Sequence, residues 1–405
     1  MGLMVTNGYS CCKTTNTKSK EFNLTDNSES HIIKLQACIR GFIVRKSYHN
    51  LLRFNSNAYT NANIINASKN DSSLYMVKSK TSNNPREISL TYNTQIYESN
   101  EIIKKLKKLL PKFTLSEKEQ YQLSISNLKT IGLLYPDNSI YKGTIDSKMQ
   151  REGFGKLFLS DGSIYLGLFK EDRIEGRGRM MNIEGFVYEG DFRNAQAHGF
   201  GKYINLNGTS YQGLWENDKQ NGYGKETYPD GSKYEGTFVN GKKHGKGKIF
   251  FPQGTVFEGN FDNNEIKGEG MYKWKDGRIY IGHWEYNKMN GYGIFVWPDN
   301  KRYYGEYCQS YKEGFGIFYW DKDKRYEGFW ENGSQNGYGC LITNSNLEYG
   351  EWIDGQLIHT FDDEGQIVYI QNKIEEIKAT KEYQTFQSKL SKYEEEITNI
   401  NCKSN

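Results

Sequence analysis

The sequence predicts a mainly β protein: an elongated, single-layer antiparallel meander of about nine 23-residue β-hairpin repeats, with α-helices on its flanks. Three observations lead there. Gly-x-Gly recurs at Gly153, Gly176, Gly199, Gly222, Gly245, Gly268, Gly291, Gly314 and Gly337, always 23 residues apart. Between these lies an aromatic-x-Gly-x-aromatic block, such as YLGLF from Tyr165, YEGDF from Tyr188, YQGLW from Tyr211 and YEGTF from Tyr234. The composition agrees, with 42 Gly and 31 Tyr but only 6 Pro in 405 residues, which suits many short strands joined by tight turns.

Each repeat reads as two strands. Positions 1, 3 and 5 of the aromatic block share one face, so two rings flank a bare glycine and leave a slot for a neighbouring ring. The block continues as FEGNF from Phe257, YIGHW from Tyr280, YYGEY from Tyr303 and YEGFW from Tyr326. The end copies are degenerate, YKGTI from Tyr141 and EYGEW from Glu348, as expected where a stack must stop. The second strand carries Gly-x-Gly, exemplified by Gly153 and Gly155, Gly222 and Gly224, and Gly291 and Gly293, with apolar residues four and six positions on. It ends in turn residues at Asp161-Gly162, Asn207-Gly208, Asp230-Gly231 and Asp276-Gly277. Both connections are too short for a parallel crossover, so the meander is antiparallel.

These blocks resemble the MORN (membrane occupation and recognition nexus) repeat family over about 141–355. The resemblance implies an elongated sheet that serves as a scaffold for a protein partner. No repeat position is consistently basic, so lipid binding by the sheet itself is not indicated. The stretch GKKHGKGK at 241–248 has the look of a phosphate loop, but it has strand on both sides and recurs in every repeat, which makes it structural.

The flanks differ from the repeats. Residues 32–48, IIKLQACIRGFIVRKSY, place Ile32, Leu35, Ile39, Phe42 and Ile43 on one helical stripe, with Lys34, Arg40, Arg45 and Lys46 as basic companions. The same stretch resembles the IQ motif at Leu35, Gln36, Arg40, Gly41, Arg45 and Tyr48. That resemblance implies binding of calmodulin or a calmodulin-like light chain through Leu35, Gln36, Ile39, Arg40, Gly41, Arg45 and Tyr48. A basic helix docked on the sheet is the alternative.

The first residues, MGLMVTNGYSCCK, match an N-myristoylation pattern at Gly2, with adjacent Cys11 and Cys12 as palmitoylation candidates. One acyl chain anchors only marginally, so a second signal matters. An ordinary frayed terminus is the alternative reading.

The organisation expected is a flexible anchor segment at 1–30, an IQ helix at 31–52, a low-complexity linker at 53–100, a basic amphipathic helix and cap region at 101–135, the repeat sheet at 136–360 and a C-terminal amphipathic helix at 361–405. In the basic helix, Ile102, Leu106, Leu109 and Leu110 share a face, and the helix should stop before Pro111. Capping the first strand pair is the favoured role, ahead of a membrane-surface or second calmodulin-type helix. In the tail, Tyr383, Phe386, Leu390, Tyr393, Ile397 and Ile400 form a short heptad seam, read as a cap on the last repeat or as a dimer or partner helix.

A formal charge of +4 gives no general attraction to nucleic acid. The six cysteines make no Cys-x-x-Cys pair, so neither a metal site nor a disulfide framework is expected. The start lacks an apolar signal region, and no apolar run is long enough to span a bilayer, so a cytoplasmic location is expected, peripheral to the plasma membrane or to the cortical or ciliary cytoskeleton. Neither flank has room for a catalytic domain and no catalytic motif is present, so no enzyme activity, cofactor or small-molecule substrate is expected. The function expected is a membrane-tethered scaffold or adaptor; the alternative is a cytoskeletal or axonemal component without a lipid anchor.

Overall fold

The structure is a computed structural model that describes residues 63–66, 75–78, 90–135, 137–344 and 346–404. Its strands and helices divide into two compact units, one ending at Lys242 and the other running from Lys243.

In the first unit, β1 (Asn63–Asn66) and β2 (Tyr75–Lys78) pair antiparallel, and three helices follow: α1 (Leu90–Ser99), α2 (Glu101–Leu109) and α3 (Glu117–Ser124). The meander then runs through β3 (Lys129–Leu134), β4 (Ile140–Ile145), β5 (Arg151–Phe158), β6 (Ile164–Lys170), β7 (Arg173–Met181), β8 (Phe186–Arg193), β9 (Gln196–Asn205), β10 (Ser210–Glu216), β11 (Lys219–Thr227) and β12 (Lys233–Val239). Every consecutive pair from β3 to β12 is antiparallel.

The second unit continues the pattern with β13 (Lys242–Phe250), β14 (Val256–Asp262), β15 (Glu265–Lys273), β16 (Ile279–Glu285), β17 (Lys288–Val296), β18 (Arg302–Cys308), β19 (Tyr311–Tyr319), β20 (Lys324–Glu331), β21 (Ser334–Thr343), β22 (Asn346–Ile353) and β23 (Gln356–Thr360). These too pair antiparallel in sequence order. Two helices close the chain, α4 (Glu364–Lys378) and α5 (Lys381–Ser404).

The two glycines of each Gly-x-Gly do different work. The first is left-handed in every copy, with φ between +61° at Gly314 and +93° at Gly222. It sits where the register of the hairpin shifts by a residue, as between Gly213 and Trp215 of β10. The second glycine faces the glycine of the aromatic block across the ladder, Gly224 opposite Gly213. The Tyr211 ring lies over both. A methyl on Gly213 would sit 2.6 Å from the Gly224 Cα and 2.5 Å from the Tyr211 hydroxyl oxygen. The ring that fills the slot is therefore the block's own first aromatic and not a neighbour's.

The tyrosine is then pinned at its far end. Its hydroxyl donates to the carbonyl three residues on: Tyr141 to Thr144 at 2.7 Å, Tyr188 to Asp191 at 3.0 Å, Tyr211 to Leu214 at 3.0 Å and Tyr303 to Glu306 at 3.0 Å. The fifth-position ring stands edge-on to it. Tyr211 meets Trp215 at 5.0 Å within its own repeat and Phe238 of the next at 5.1 Å, both near perpendicular. Such pairs add about 0.5–1.5 kcal/mol each beyond area burial. Several of these tyrosines, among them Tyr141, Tyr165, Tyr211, Tyr280 and Tyr303, are wholly buried. The aromatic face thus forms a core from within a single sheet layer.

The flanks depart from expectation in four places. Residues 53–100 hold β1, β2 and α1, where a linker was expected; the Asn, Thr and Ser content of α1 hides a helix that buries Thr94. The meander starts at Lys129, inside the region assigned to a cap. In α2 the buried residues are Ile103 and Leu106, while Leu109 is exposed. Instead of covering the first strand pair alone, α2 lies on Ile140, Phe158, Ile164, Met181 and Val187, spread over β4 to β8. Phe386, Leu390, Tyr393 and Ile397 of α5 pack against Ile279, Ile281, Ile294 and Val296 of β16 and β17, so α5 runs back over the sheet and does not cap the last repeat.

Two measurements test the clamp. Tyr211→Phe removes a buried donor from the Leu214 carbonyl and should cost about 1 kcal/mol in denaturant unfolding, whereas Phe257→Tyr, at the one full block that starts with Phe, should recover a similar amount. Gly224→Ala, which drives a methyl into the Tyr211 ring, should cost roughly 3 kcal/mol. Tolerance of Gly224→Ala without loss would contradict the ring-on-glycine packing.

Candidate functional site

Because the aromatic face is filled by its own rings, contacts with other segments fall on the second face. Its composition varies along the chain, and the helices follow that variation. In the first unit, β4 to β8 present Ile140, Phe158, Ile164, Met181 and Val187, and α2 covers them. From β9 to β12 the same positions become Ile204, Ser210, Thr227 and Lys233, and beside them Lys225 and Glu235 pair across the ladder at 3.0 Å. In the second unit, Lys248 and Glu258 pair at 2.9 Å on β13 and β14, after which β16 and β17 turn apolar beneath α5. Helix α4 covers Phe315, with Ile370 and Ile374 buried there beside Tyr383 of α5.

Polar contacts fix α5 in place. Lys389 reaches Glu269 at 2.7 Å and the Tyr393 hydroxyl donates to the same carboxylate. Tyr304 donates to Glu394 at 3.0 Å. Burial raises the Glu269 carboxyl, but the Lys389 and Tyr393 hydrogen bonds outweigh it and hold the group below its ordinary value.

The middle of the first unit's second face keeps an uncovered apolar row. Phe200 and Leu214 are direct cross-strand partners, and Tyr223 follows on β11. All three are exposed, Phe200 at 55% and Tyr223 at 57%. Phe154, at the same repeat position as Phe200, instead stacks with Phe113 at 6.4 Å.

The expected lipidation residues Gly2, Cys11 and Cys12 lie outside the described residues, as do the calmodulin-binding residues Leu35, Gln36, Ile39, Arg40, Gly41, Arg45 and Tyr48. The glycines Gly153, Gly155, Gly222, Gly224, Gly291 and Gly293 lie in the strands as hairpin glycines.

Two charged sites on the aromatic face escaped sequence reading. Arg151 is buried, and Asp172 on the turn 21 residues later accepts from its backbone N–H at 2.8 Å and its Nε at 3.2 Å. Lys312 stands at the same repeat position, which elsewhere holds Ile174, Ala197, Gln220, Lys243, Ile266, Met289 and Gln335. Its ammonium lies 4.4 Å from the Trp330 ring centroid, 4.8 Å from Phe318, 5.2 Å from Tyr303 and 5.5 Å from Trp297. Among the described residues no carboxylate forms an ion pair with it. Burial pushes its pKa down to about 8. In sequence the position is mixed, with Lys at both 243 and 312, and only the folded rings show that Lys312 is enclosed by four of them.

Comparison with family models finds the MORN repeat at 188–210, 211–233, 234–256, 257–277, 280–302 and 326–346, and the IQ calmodulin-binding motif at 29–49. The chain thus carries six matched MORN repeats and an IQ motif. The unmatched copies have the same build: Tyr165 donates to Leu168 and Tyr303 to Glu306 as the matched ones do. Both motifs are non-catalytic, and together they fit a non-catalytic adaptor that binds calmodulin or a calmodulin-like protein.

A search of curated proteins finds no match. Among solved structures, the TCP10 domain of Danio rerio CPAP, as its E1021V mutant, is 11% identical with a TM-score of 0.30, over 49% of this chain and 92% of that one. The SAS-4 (dCPAP) TCP domain of Drosophila melanogaster, in complex with a proline-rich motif of Ana2, is 15% identical with a TM-score of 0.25, over 48% and 96%. Neither score is high enough to carry an argument about fold or function.

Lys312 gives a prediction with a definite sign. Its folded pKa is below the unfolded value, so the unfolded chain binds more protons between about pH 8 and the ordinary lysine range, and stability rises with pH there. Relative to Lys312→Met, the native chain should gain about 1.5 kcal/mol between about pH 8 and pH 9.5. Denaturant unfolding of both proteins at the two pH values checks this; parallel pH profiles would refute it.

Proposed function

We propose that this chain is an adaptor tethered to the cytosolic face of a membrane by N-terminal acylation. Its IQ segment takes calmodulin or a calmodulin-like light chain, and its repeat sheet holds a protein partner. The observation that carries the reading is the IQ match at 29–49 in the same chain as a repeat sheet whose covered and uncovered stretches are set by sequence. The stripe of Ile32, Leu35, Ile39, Phe42 and Ile43 with Arg40 and Arg45 has the amphipathic, basic character that an acidic helix-binding partner requires.

Tethering is supported by Gly2 with Thr6 and by two candidate second signals, the Cys11–Cys12 pair and the lysines Lys13, Lys18 and Lys20. The partner surface on the sheet is assigned to the second face, since the tyrosines of the aromatic face are buried in intramolecular packing. Among the described residues no helix is long and apolar enough to cross a membrane.

Two experiments test these parts separately. Titration of the full chain with calmodulin, with and without calcium, should show binding that Arg40→Ala with Arg45→Ala weakens by at least about tenfold; no binding in either condition would end the calmodulin reading. Fractionation of cells expressing the full chain should show Gly2→Ala moving to the soluble fraction and Cys11→Ser with Cys12→Ser retained less well. Unchanged partitioning of Gly2→Ala would replace the anchored adaptor with a cytoskeletal or axonemal component.

A further inference from the structure

In five copies the turn that precedes the Gly-x-Gly strand places an acceptor side chain against the equivalent strand of the preceding repeat, whereas Ala195 and Gly241 stand at that turn position in two others. Asp172 accepts from the Arg151 backbone N–H at 2.8 Å, Asp218 from Ala197 at 2.8 Å, Asn264 from Lys243 at 2.8 Å, Asn287 from Ile266 at 2.7 Å and Ser310 from Met289 at 3.2 Å. The acceptor is 21 residues beyond the donor each time and has a positive φ, from +62° at Asn287 to +78° at Asn264. At Lys312 the corresponding residue is Gly333, with φ +89°. Gly333 keeps the reverse bond, its N–H donating to the Lys312 carbonyl at 3.0 Å, so the two backbones are placed as in the other repeats. It has no side chain to accept the Lys312 N–H. A Cβ built on Gly333 would have only the Tyr311 ring edge within 4 Å, at 3.8 Å, so there is room for the missing group.

Arg151 and Asp172 show what the full arrangement does. One carboxylate oxygen takes both the backbone N–H and the side-chain cation of the residue at that repeat position. At Lys312 the donors remain: a backbone N–H facing Gly333, and an ammonium with four rings around it and no carboxylate in ion-pair contact among the described residues. A partly dehydrated cation without a counter-ion gains most from an anion that also satisfies a backbone donor. That the acceptor at Arg151 is the carboxylate of Asp172 sets the class.

We propose that Lys312 and Gly333 form a carboxylate-binding site. A carboxylate from outside the repeat, borne by a small organic acid or by an acidic side chain of a docked peptide, takes the place that Asp172 fills for Arg151. The site lies on the aromatic face at the turn between β20 and β21, apart from the second-face surface assigned above to the protein partner.

The test is amide and side-chain nitrogen NMR of the full chain, titrated at constant ionic strength with sodium acetate, with sodium chloride and acetamide as controls. Acetate should shift the Lys312 amide saturably with a midpoint on the order of millimolar, and neither control should do so. Gly333→Asp supplies the carboxylate in place, in the left-handed region that Asp172 and Asp218 occupy at φ +65° against +89° at Gly333, and should abolish the acetate response. Lys312→Met, the residue that repeat position holds at Met289, should weaken the response at least tenfold while the fold is kept. A capped Ala-Ala-Glu-Ala-Ala peptide separates the sources: tighter binding than acetate assigns the site to an acidic side chain, and weaker binding assigns it to a small acid. An acetate response no larger than that of chloride, or one that persists in Gly333→Asp, overturns the proposal.

Discussion

The fold depends on one contact repeated along the chain: a tyrosine ring lying flat on two glycines that face each other across a hairpin. Any side chain at either glycine would occupy the ring's volume, as the 2.5 Å approach of a Gly213 methyl to the Tyr211 hydroxyl shows. The ring in turn covers bare backbone that would otherwise lie open on that face. Its hydroxyl bond three residues on and the edge-on ring of the next repeat fix it at both ends. A single sheet layer normally needs another layer to bury its apolar face. Here the sheet builds that core from its own side chains, and each repeat requires the next one to close it.

A consequence is that the second face is free to vary, and it does so in blocks. Where cross-strand positions carry Ile, Val, Met and Phe, a helix of the same chain lies on them; where they carry Lys and Glu, they pair with each other in solvent. The exposed pairs, such as Lys225 with Glu235, contribute little to stability. Their effect is to give the strands a solvated face, with Phe200, Leu214 and Tyr223 as the uncovered apolar residues among them. Helix placement is therefore written in the strands as much as in the helices.

The repeat was legible because it is imposed by sterics: a glycine every 23 residues cannot be replaced, so the period survives where other positions drift. The turns at Asp161-Gly162 and Asn207-Gly208 were legible for the same reason, since Gly162 and Gly208 hold φ of +92° and +97°. The helices were harder. The heptad spacing of Tyr383, Phe386, Leu390, Tyr393 and Ile397 shows an apolar stripe but carries no address, and only Ile279, Ile281, Ile294 and Val296 supply one. Helix α1 was missed because its sequence, LTYNTQIYES, has little apolar periodicity. Lys312 was missed because the rings around it come from residues 297, 303, 318 and 330, which are brought together by pairing and not by spacing.

Arg151 and Lys312 show how a structural repeat acquires chemistry without loss of the fold. The position they share is tolerant, holding Ile, Ala, Gln, Lys and Met in other copies. A cation there gains ring faces on arrival, so the electrostatic cost of burial is partly offset before any counter-ion is present. Arg151 meets the remaining cost with Asp172. Lys312 meets it only through its rings, which is why burial lowers its pKa while the charge-paired Arg151 is held up. The difference lies in one turn residue, Asp172 against Gly333, at a site where backbone conformation accepts either. A repeat array can therefore place a charged site at any chosen copy through two substitutions 21 residues apart, since the strand and turn geometry that joins them is already present in every copy.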